Sequence, residues 1–498
     1  MKKGTLLFLL FICCVSSYTQ NLFVNKYNIS GNPDLSIVLP DKNIFVTSIV
    51  DLGQIIIFKS DSFGNILWSN KLLVPGTTWS MPTGITQSMD NGFLILLDII
   101  KSGIDYPTVL KIDINGNLLW KHSYMVDSGY SAANIIKNSD NGFMLIGGRN
   151  YIIKCDQNGS VLWQKKIALS SSWPSEISSH DFNKIVVAGY RAYDMFFYEI
   201  DLLGNIYWNS IISFSNHGNL IRSIKPCFDG GYIATGQTSE LINRYTKAFI
   251  LKIDSIGVPI WFKVYSVNNR GVGNDIIEAS DSSIVMVGIG DGNDPSQKGL
   301  IIKTDKNGNL IFAKSQINSI YNEYSSINVF SSSKFLLIGA SIYTFIAMTD
   351  PSFESLCNIA SMEVQEDTTE ISFSNNDLTT QNLSFRMDSI AITYTPTVVI
   401  KSILCQSTLS KENFNVYNCN GFSPNPFSIQ TEINLKNDLK NATLTLFNSF
   451  GKQVKQVKNI YGNYINIQRD NLPSGLYLVQ LTQDNIIIIT NKLIVINQ

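Results

Sequence analysis

A chain of 498 residues is too long for one ordinary domain, and its 44% hydrophobic content suffices for several cores. Charged residues reach only 15%, against roughly 25% in an average soluble protein; Gly, Asn, Ser, Ile and aromatics fill the difference, a mix suited to short strands and tight turns. The net charge of −1 leaves no electrostatic footprint for nucleic acid or an anionic membrane, which argues against a nucleic-acid function.

Residues 1–19 have the build of a signal peptide: a basic start (Met1, Lys2, Lys3), an apolar run from Leu6 to Val15, and small residues around Ser17 and Thr19, with cleavage expected before Gln20. The run is too short to span a bilayer. Cys13 and Cys14 offer a lipoprotein alternative, although Ile12 is a poor residue to precede an acylated cysteine. No later stretch is long and apolar enough to cross a membrane, so no transmembrane segment is expected in the mature chain.

From residue 20 to 353 one phrase recurs: Asp-x-x-Gly, then an aromatic four residues on. It reads Asp61…Gly64…Trp68, Asp113…Gly116…Trp120, Asp156…Gly159…Trp163, Asp201…Gly204…Trp208, Asp254…Gly257…Trp261 and Asp305…Gly308…Phe312, with a degraded copy Asp350…Phe353…Cys357. The intervals, 43 to 53 residues, suit β-propeller blades of four strands. The segments alternate apolar and polar, as in Ile301 to Asp305, which rejects helical repeats. The Asp is expected to cap a turn, the Gly to take a left-handed backbone, and the Trp to pack between blades. A second turn marks the preceding hairpin, as at Asp90-Asn-Gly and Asp140-Asn-Gly. No completing strand follows Asp350, but Phe23–Tyr27 has its pattern. The expectation is an all-β chain whose seven-bladed β-propeller is closed by its own N-terminal strand, which removes the open edges.

Residues 354–419 read as a connector with a few strands that lies against the propeller: Glu363 to Asp377 as a polar, acidic loop, Leu383 to Leu404 as one or two strands.

Residues 420–498 carry Pro424-Asn425-Pro426-Phe427, then Ala442 to Phe447, Asn448-Ser-Phe-Gly451-Lys452, Leu472-Pro473-Ser-Gly475-Leu-Tyr477-Leu478, and a final strand from Lys492 to Gln498. This stretch resembles the type A C-terminal sorting domain of the type IX secretion system. The resemblance implies a small immunoglobulin-like β-sandwich, handling by the type IX secretion machinery, and export through the periplasm of a Gram-negative bacterium to the medium or the outer surface. Asn448 departs from the Asp of many members. Leu444, Leu446, Leu476, Tyr477, Leu478 and Ile494 are expected to face the sandwich interior, with Gly451 and Gly475 in turns. The repeats in turn resemble the tandem propellers common in proteins with this tail, and share blade architecture with quinoprotein propellers.

Chemistry is sparse. His122, His180 and His217 sit in no metal-ligand spacing, and no Gly-x-Ser-x-Gly elbow is present. The Asp turns and Asp291-Gly-Asn-Asp294 lack the alternating carboxylates of a calcium loop; no metal or cofactor is expected. The repeat tryptophans read as interblade core, whereas Trp79 and Trp173 fall outside the phrase and are candidates for ligand contact at the propeller mouth. Cys357 and Cys405 bracket the connector and are the candidate disulfide, with Cys405–Cys419 as fallback; Cys155 and Cys227 are expected free. The leading reading is a secreted or surface-attached, non-catalytic binding or adhesion module with a protein or glycan ligand. The rivals are an extracellular hydrolase or quinoprotein-like enzyme on the propeller face, and a structural spacer.

Overall fold

The computed structural model describes residues 22–496, apart from 30–31, 52, 127–130, 170, 215–216, 241–245, 268–269, 292–296, 317–322, 341–342, 357–358, 369–370, 376–377, 383–384, 389, 408–421, 449–452 and 484–485. The signal peptide, the Asp291–Asp294 cluster in its greater part, and Cys357, Cys419, Gly451 and Lys452 lie outside the described residues. The chain divides into two units, Met1–Ser407 and Thr408–Gln498.

In the first unit seven antiparallel sheets succeed one another. Blade 1 comprises Asn32–Val38, Ile44–Asp51, Gln54–Ser60 and Ile66–Leu73, from the inner strand outward. Later blades repeat this order, their inner strands being Trp79–Gln87, Ala132–Lys137, Ser172–Ser178, His217–Pro226, Gly271–Glu278 and Glu323–Ser331. Each inner strand contacts the next, and that of blade 7 returns to that of blade 1. The ring is closed as the sequence suggests: Leu22–Tyr27 pairs antiparallel with Thr344–Thr349, Phe23 opposite Met348.

The repeat phrase holds the blades to one another. Asp61 Oδ1 accepts the backbone N–H groups of Phe63 and Asn65, both at 2.8 Å, and Asp113, Asp156, Asp201, Asp254 and Asp305 cap their turns in the same way. The turn glycine has positive φ and lies against the preceding blade: a β-carbon on Gly116 would stand 2.7 Å from the Trp68 ring, and one on Gly257 2.3 Å from Trp208. Its carbonyl accepts a bond from the preceding blade's outer strand, from Asn70 to Gly116 (2.9 Å), Tyr124 to Gly159 (2.8 Å) and Tyr265 to Gly308 (2.7 Å). Tyr27 does the same to Gly64 at 2.8 Å, so the seam is closed by the contact that joins the other blades. The five repeat tryptophans occupy equivalent, partly buried positions against the blade cores.

The four-stranded blade of the sequence reading needs correction. Residues 359–407 run back around the ring and add a fifth, outermost strand to every blade. Ile359–Ser361 pairs with blade 6, Gln365–Thr368 with blade 5, Ser372–Ser374 with blade 4 and Thr380–Asn382 with blade 3; Phe385–Asp388, Thr393–Pro396 and Lys401–Ser407 follow on blades 2, 1 and 7. The supposed polar loop therefore holds two edge strands. Between strands the belt sets single apolar side chains against the cores, among them Val364, Ile371, Leu378, Ile390 and Val399.

In the second unit the strands Gln453–Gln468, Gln430–Asn448, Gly475–Gln483 and Ile486–Val495 pair in that order as one antiparallel sheet. Gln430–Asn448 slips register four times against Gln453–Gln468, and both its ends reach one core, through Ile433 and Leu435 and through Leu444 and Leu446. Leu444, Leu446 and Tyr477 are buried as expected. Leu476, Leu478 and Ile494 are not, at 48%, 38% and 41% exposure. Strand alternation explains the correction: Tyr477 and Val479 point inward, so their immediate neighbours point out.

Candidate functional site: the central channel

The inner strands line the propeller axis, and each carries the same irregularity. Against its neighbour every inner strand slips by one residue at an equivalent place, the extra residue being Asp34, Thr83, Ala133, Ser175, Arg222, Asn274 and Ser325 in blades 1 to 7. A β-bulge re-aims the side chain at the kink, and six of these residues, Thr83 to Ser325, line a cavity of about 680 Å³ walled by all seven inner strands.

In blades 3 to 6 the residue after the bulge ties blade to blade. Asn134 Nδ2 donates to Glu176 Oε2 at 3.1 Å, and Ser223 Oγ donates to Asp275 Oδ1 at 2.7 Å. Asp275 also accepts the N–H groups of Ile276 and Ile327, each at 3.0 Å, and pairs with Lys225 Nζ at 3.4 Å. Asp275 raises the Lys225 ammonium above its ordinary range, overcoming burial, with Glu176 adding to the effect. Burial in the channel wall pushes the Glu176 carboxyl up to about 8, reinforced by the Asp275 charge and opposed by Lys225 and Asn134. Nearer the end where the inner strands begin, burial raises Glu323 while Arg222 and Arg270 oppose it. The channel thus presents a neutral carboxyl, a paired Asp–Lys and an arginine on a polar wall.

Trp79 and Trp173 are 44% and 41% exposed and lie at the starts of the inner strands of blades 2 and 4. Strand alternation puts Trp79 on the face of Met81 and Trp173 on that of Ser175, both channel-lining residues, though neither Trp lines the cavity itself. The histidines do structural work: His122 stacks on Trp120 at 4.9 Å, and His180 packs edge-on against Tyr232. His217 opens the inner strand of blade 5. Cys155 and Cys227 are buried free thiols, each pushed up to about 12 by burial. Cys405 lies in the belt strand opposite Val24.

Sequence reasoning missed Glu176, Arg222, Lys225, Asp275 and Glu323. Their signal was positional: charged residues in strands otherwise destined for the centre, just upstream of the hairpin turn, as with Arg222 and Lys225 before Asp229.

In the second unit the motif residues knit the entry segment to the last strand. Asn425 Nδ2 donates to Lys492 O at 2.7 Å and Asn425 Oδ1 accepts Ile494 N–H at 2.8 Å. Phe427 is buried and exchanges backbone bonds of 2.9 Å with Ile494 and Ile496. Pro424 and Pro426 flank Asn425 in the same segment, both after cis peptide bonds. Leu472 is buried, Tyr477 Oη donates to Pro473 O at 2.7 Å, and Gly475 opens its strand, not a turn.

Fold and site together define the first unit as a β-propeller with a polar, charged channel. The second unit is a type IX secretion sorting domain: residues 422–496 match the family described as Secretion system C-terminal sorting domain. That tail directs the chain to the type IX machinery and so to the cell surface or the medium. Among solved structures the chain is similar to the Dos1 propeller, at 11% identity and a TM-score of 0.42 over 66% of this chain and 95% of that one. It is similar to YCF48 bound to D1 peptide at 10% identity and 0.43, over 66% and 97%. A protein of unknown function from Bacteroides caccae matches at 15% identity and 0.31, over 44% and 77%. None of the curated proteins matches. No helix among the described residues is long and apolar enough to cross a membrane.

Proposed function

We propose that this is an exported binding module, released or held at the cell surface, that takes an extracellular protein or glycan ligand at the channel end where the inner strands begin. The observation that carries the reading is the ring of bulges, which aims polar side chains from five blades, Thr83, Ser175, Arg222, Asn274 and Ser325, into one cavity. Propellers supply rigidity, and ligands commonly enter such concave, pre-formed sites. Purified mature chain applied to glycan and protein arrays tests the reading, with Trp79→Ala/Trp173→Ala as control. Binding that the control weakens supports it; binding indifferent to the channel end would refute it.

A second reading rests on Glu176. A carboxyl kept protonated near neutrality beside a charged carboxylate is the acid partner a glycoside hydrolase needs. In that case Glu176→Gln abolishes turnover of a bound saccharide while leaving its affinity intact; unchanged turnover dismisses the enzyme.

A further inference from the structure

The cavity holds a cation without a hydrogen-bonded partner, with Glu323 of the same wall acting on it electrostatically. Arg222 is the bulge residue of blade 5 and lines the channel, yet no hydrogen bond or ion pair within 4 Å engages its guanidinium among the described residues. The other titratable groups of the bonded ring have partners, Lys225 in Asp275 and Glu176 in Asn134. Around Arg222 the same layer offers short polar groups, Thr83, Ser175, Asn274 and Ser325. Two of them keep buried oxygens without a partner, Thr83 Oγ1 and Asn274 Oδ1. A buried hydroxyl or amide oxygen left unpaired is costly, and a ligand that donates hydrogen bonds relieves that cost.

Register places the remaining parts at the same end of the channel. Counted back from the bulge, Trp79 of blade 2 and Arg270 of blade 6 stand at one level, and Trp173 of blade 4 and Glu323 of blade 7 at the next. The entrance therefore has exposed indoles on blades 2 and 4 and arginines on blades 5 and 6. Flat indole faces suit sugar rings, hydroxyl and amide groups suit sugar hydroxyls, and a guanidinium fork suits a carboxylate.

We propose that the channel receives an acidic saccharide, its carboxylate held by Arg222, its hydroxyls by Thr83, Ser175, Asn274 and Ser325, and its rings against Trp79 and Trp173. This rests on the binding-module reading and narrows it to one ligand class. An acidic peptide would use the arginine but leave the layer of hydroxyl and amide groups and the two indoles unused.

The test titrates the mature chain calorimetrically with trigalacturonate, its methyl ester and galactotriose, which vary the carboxylate charge on similar rings. The acid should bind about tenfold or more tightly than the ester, the discrimination expected of one charge-assisted bidentate contact. Arg222→Met should bring the acid down to the affinity of the ester, Arg222→Lys should restore part of the difference, and Trp173→Ala should weaken acid and ester alike. Thermal melting confirms that each variant is folded. Equal affinity for acid and ester in the wild type overturns the role of the carboxylate, and undiminished acid binding by a folded Arg222→Met overturns that of Arg222. If no saccharide binds while a protein ligand found on the arrays does, the saccharide is wrong and the binding module stands. If nothing binds at the channel end at all, both fall.

Discussion

At the scale of single residues, a buried charge rarely appears alone in this fold. On the third strand of five blades a lysine lies almost wholly buried and meets an aspartate of the hairpin turn, as in Lys111–Asp90 (2.5 Å), Lys154–Asp140 (2.7 Å) and Lys252–Asp229 (2.8 Å). Blade 4 inverts the pair, Glu199 meeting Lys184 at 3.2 Å. The two partners are unequally exposed, Lys154 at 1% and Asp140 at 42%, and that decides what each substitution does. Lys154→Met removes the buried charge and leaves a solvated carboxylate behind, so it should cost under about 1 kcal/mol. Asp140→Asn takes from the buried ammonium the carboxylate it meets, leaving its weaker bond to Cys155 O, and should cost about 3 kcal/mol. Urea unfolding of the two variants measures the difference; equal losses would contradict it.

Glu176 makes a pH-dependent contribution of known sign. Its carboxyl is raised from 4.5 to about 8, so across that window the folded chain holds a proton that the unfolded chain has released. Stability from this group is therefore fully present below the unfolded value and declines as pH rises toward 8. Wild type should unfold at lower urea at pH 8 than at pH 5.5, and Glu176→Gln should flatten that slope. A variant with the slope of the wild type would show that other groups carry it.

At the scale of elements, the belt changes what an edge strand means in this propeller. Without it, every blade would present its fourth strand to solvent along a full row of unpaired backbone groups. On blades 1 to 6 the belt strands pair with the later part of the fourth strand and are only three or four residues long, which blunts the new edge, while Lys401–Ser407 covers the whole of Leu22–Tyr27 on blade 7. A chain ending after Ser407 should therefore fold as a soluble monomer, whereas one ending after Asp350 should bare seven edges and associate. Light scattering and circular dichroism of the two truncations separate these outcomes; a monomeric, fully folded 22–350 fragment would show that the belt is dispensable.

The belt is also where the sequence was least legible. The blades announced themselves because each Asp-x-x-Gly-x-x-x-Trp must bridge two blades, so geometry forces the same residues to recur. Belt strands owe their place to backbone pairing, which depends little on side-chain type, and only scattered apolar residues such as Ile371, Leu378 and Val399 betray the contact. The channel was hidden for a related reason. Its charged residues differ from blade to blade, because one site needs one Arg222 and not seven copies, and repetition was the signal being read. In the sorting domain the motif order was clear, but treating Leu476, Tyr477 and Leu478 alike ignored the alternation that sends the two leucines outward.

At the scale of the whole molecule, the last strand carries the most testable burden. Leu493 and Val495 are fully buried in the core of the second unit, and the same strand pairs with Gly475–Gln483, accepts a bond from Asn425 Nδ2 at Lys492 O and donates one from Ile494 N–H to Asn425 Oδ1. Removing Lys492 to Gln498 thus strips two core side chains and the partners of the entry motif, enough to undo the unit's fold. If the secretion machinery reads this unit as a folded surface, that short deletion should strand the chain in the periplasm nearly as completely as deletion of Asn420 to Gln498. The propeller should stay folded in both, because ring and belt end at Ser407. Leu493→Asp separates fold from free end: it keeps every terminal residue but places a charge in the core, and should block export to the same degree. Cell fractionation and protease accessibility report each outcome. Full export of Leu493→Asp beside failure of the short deletion would mean that the terminus, and not the folded surface, is what the machinery reads; undiminished surface delivery of all three chains would end the sorting role for this unit.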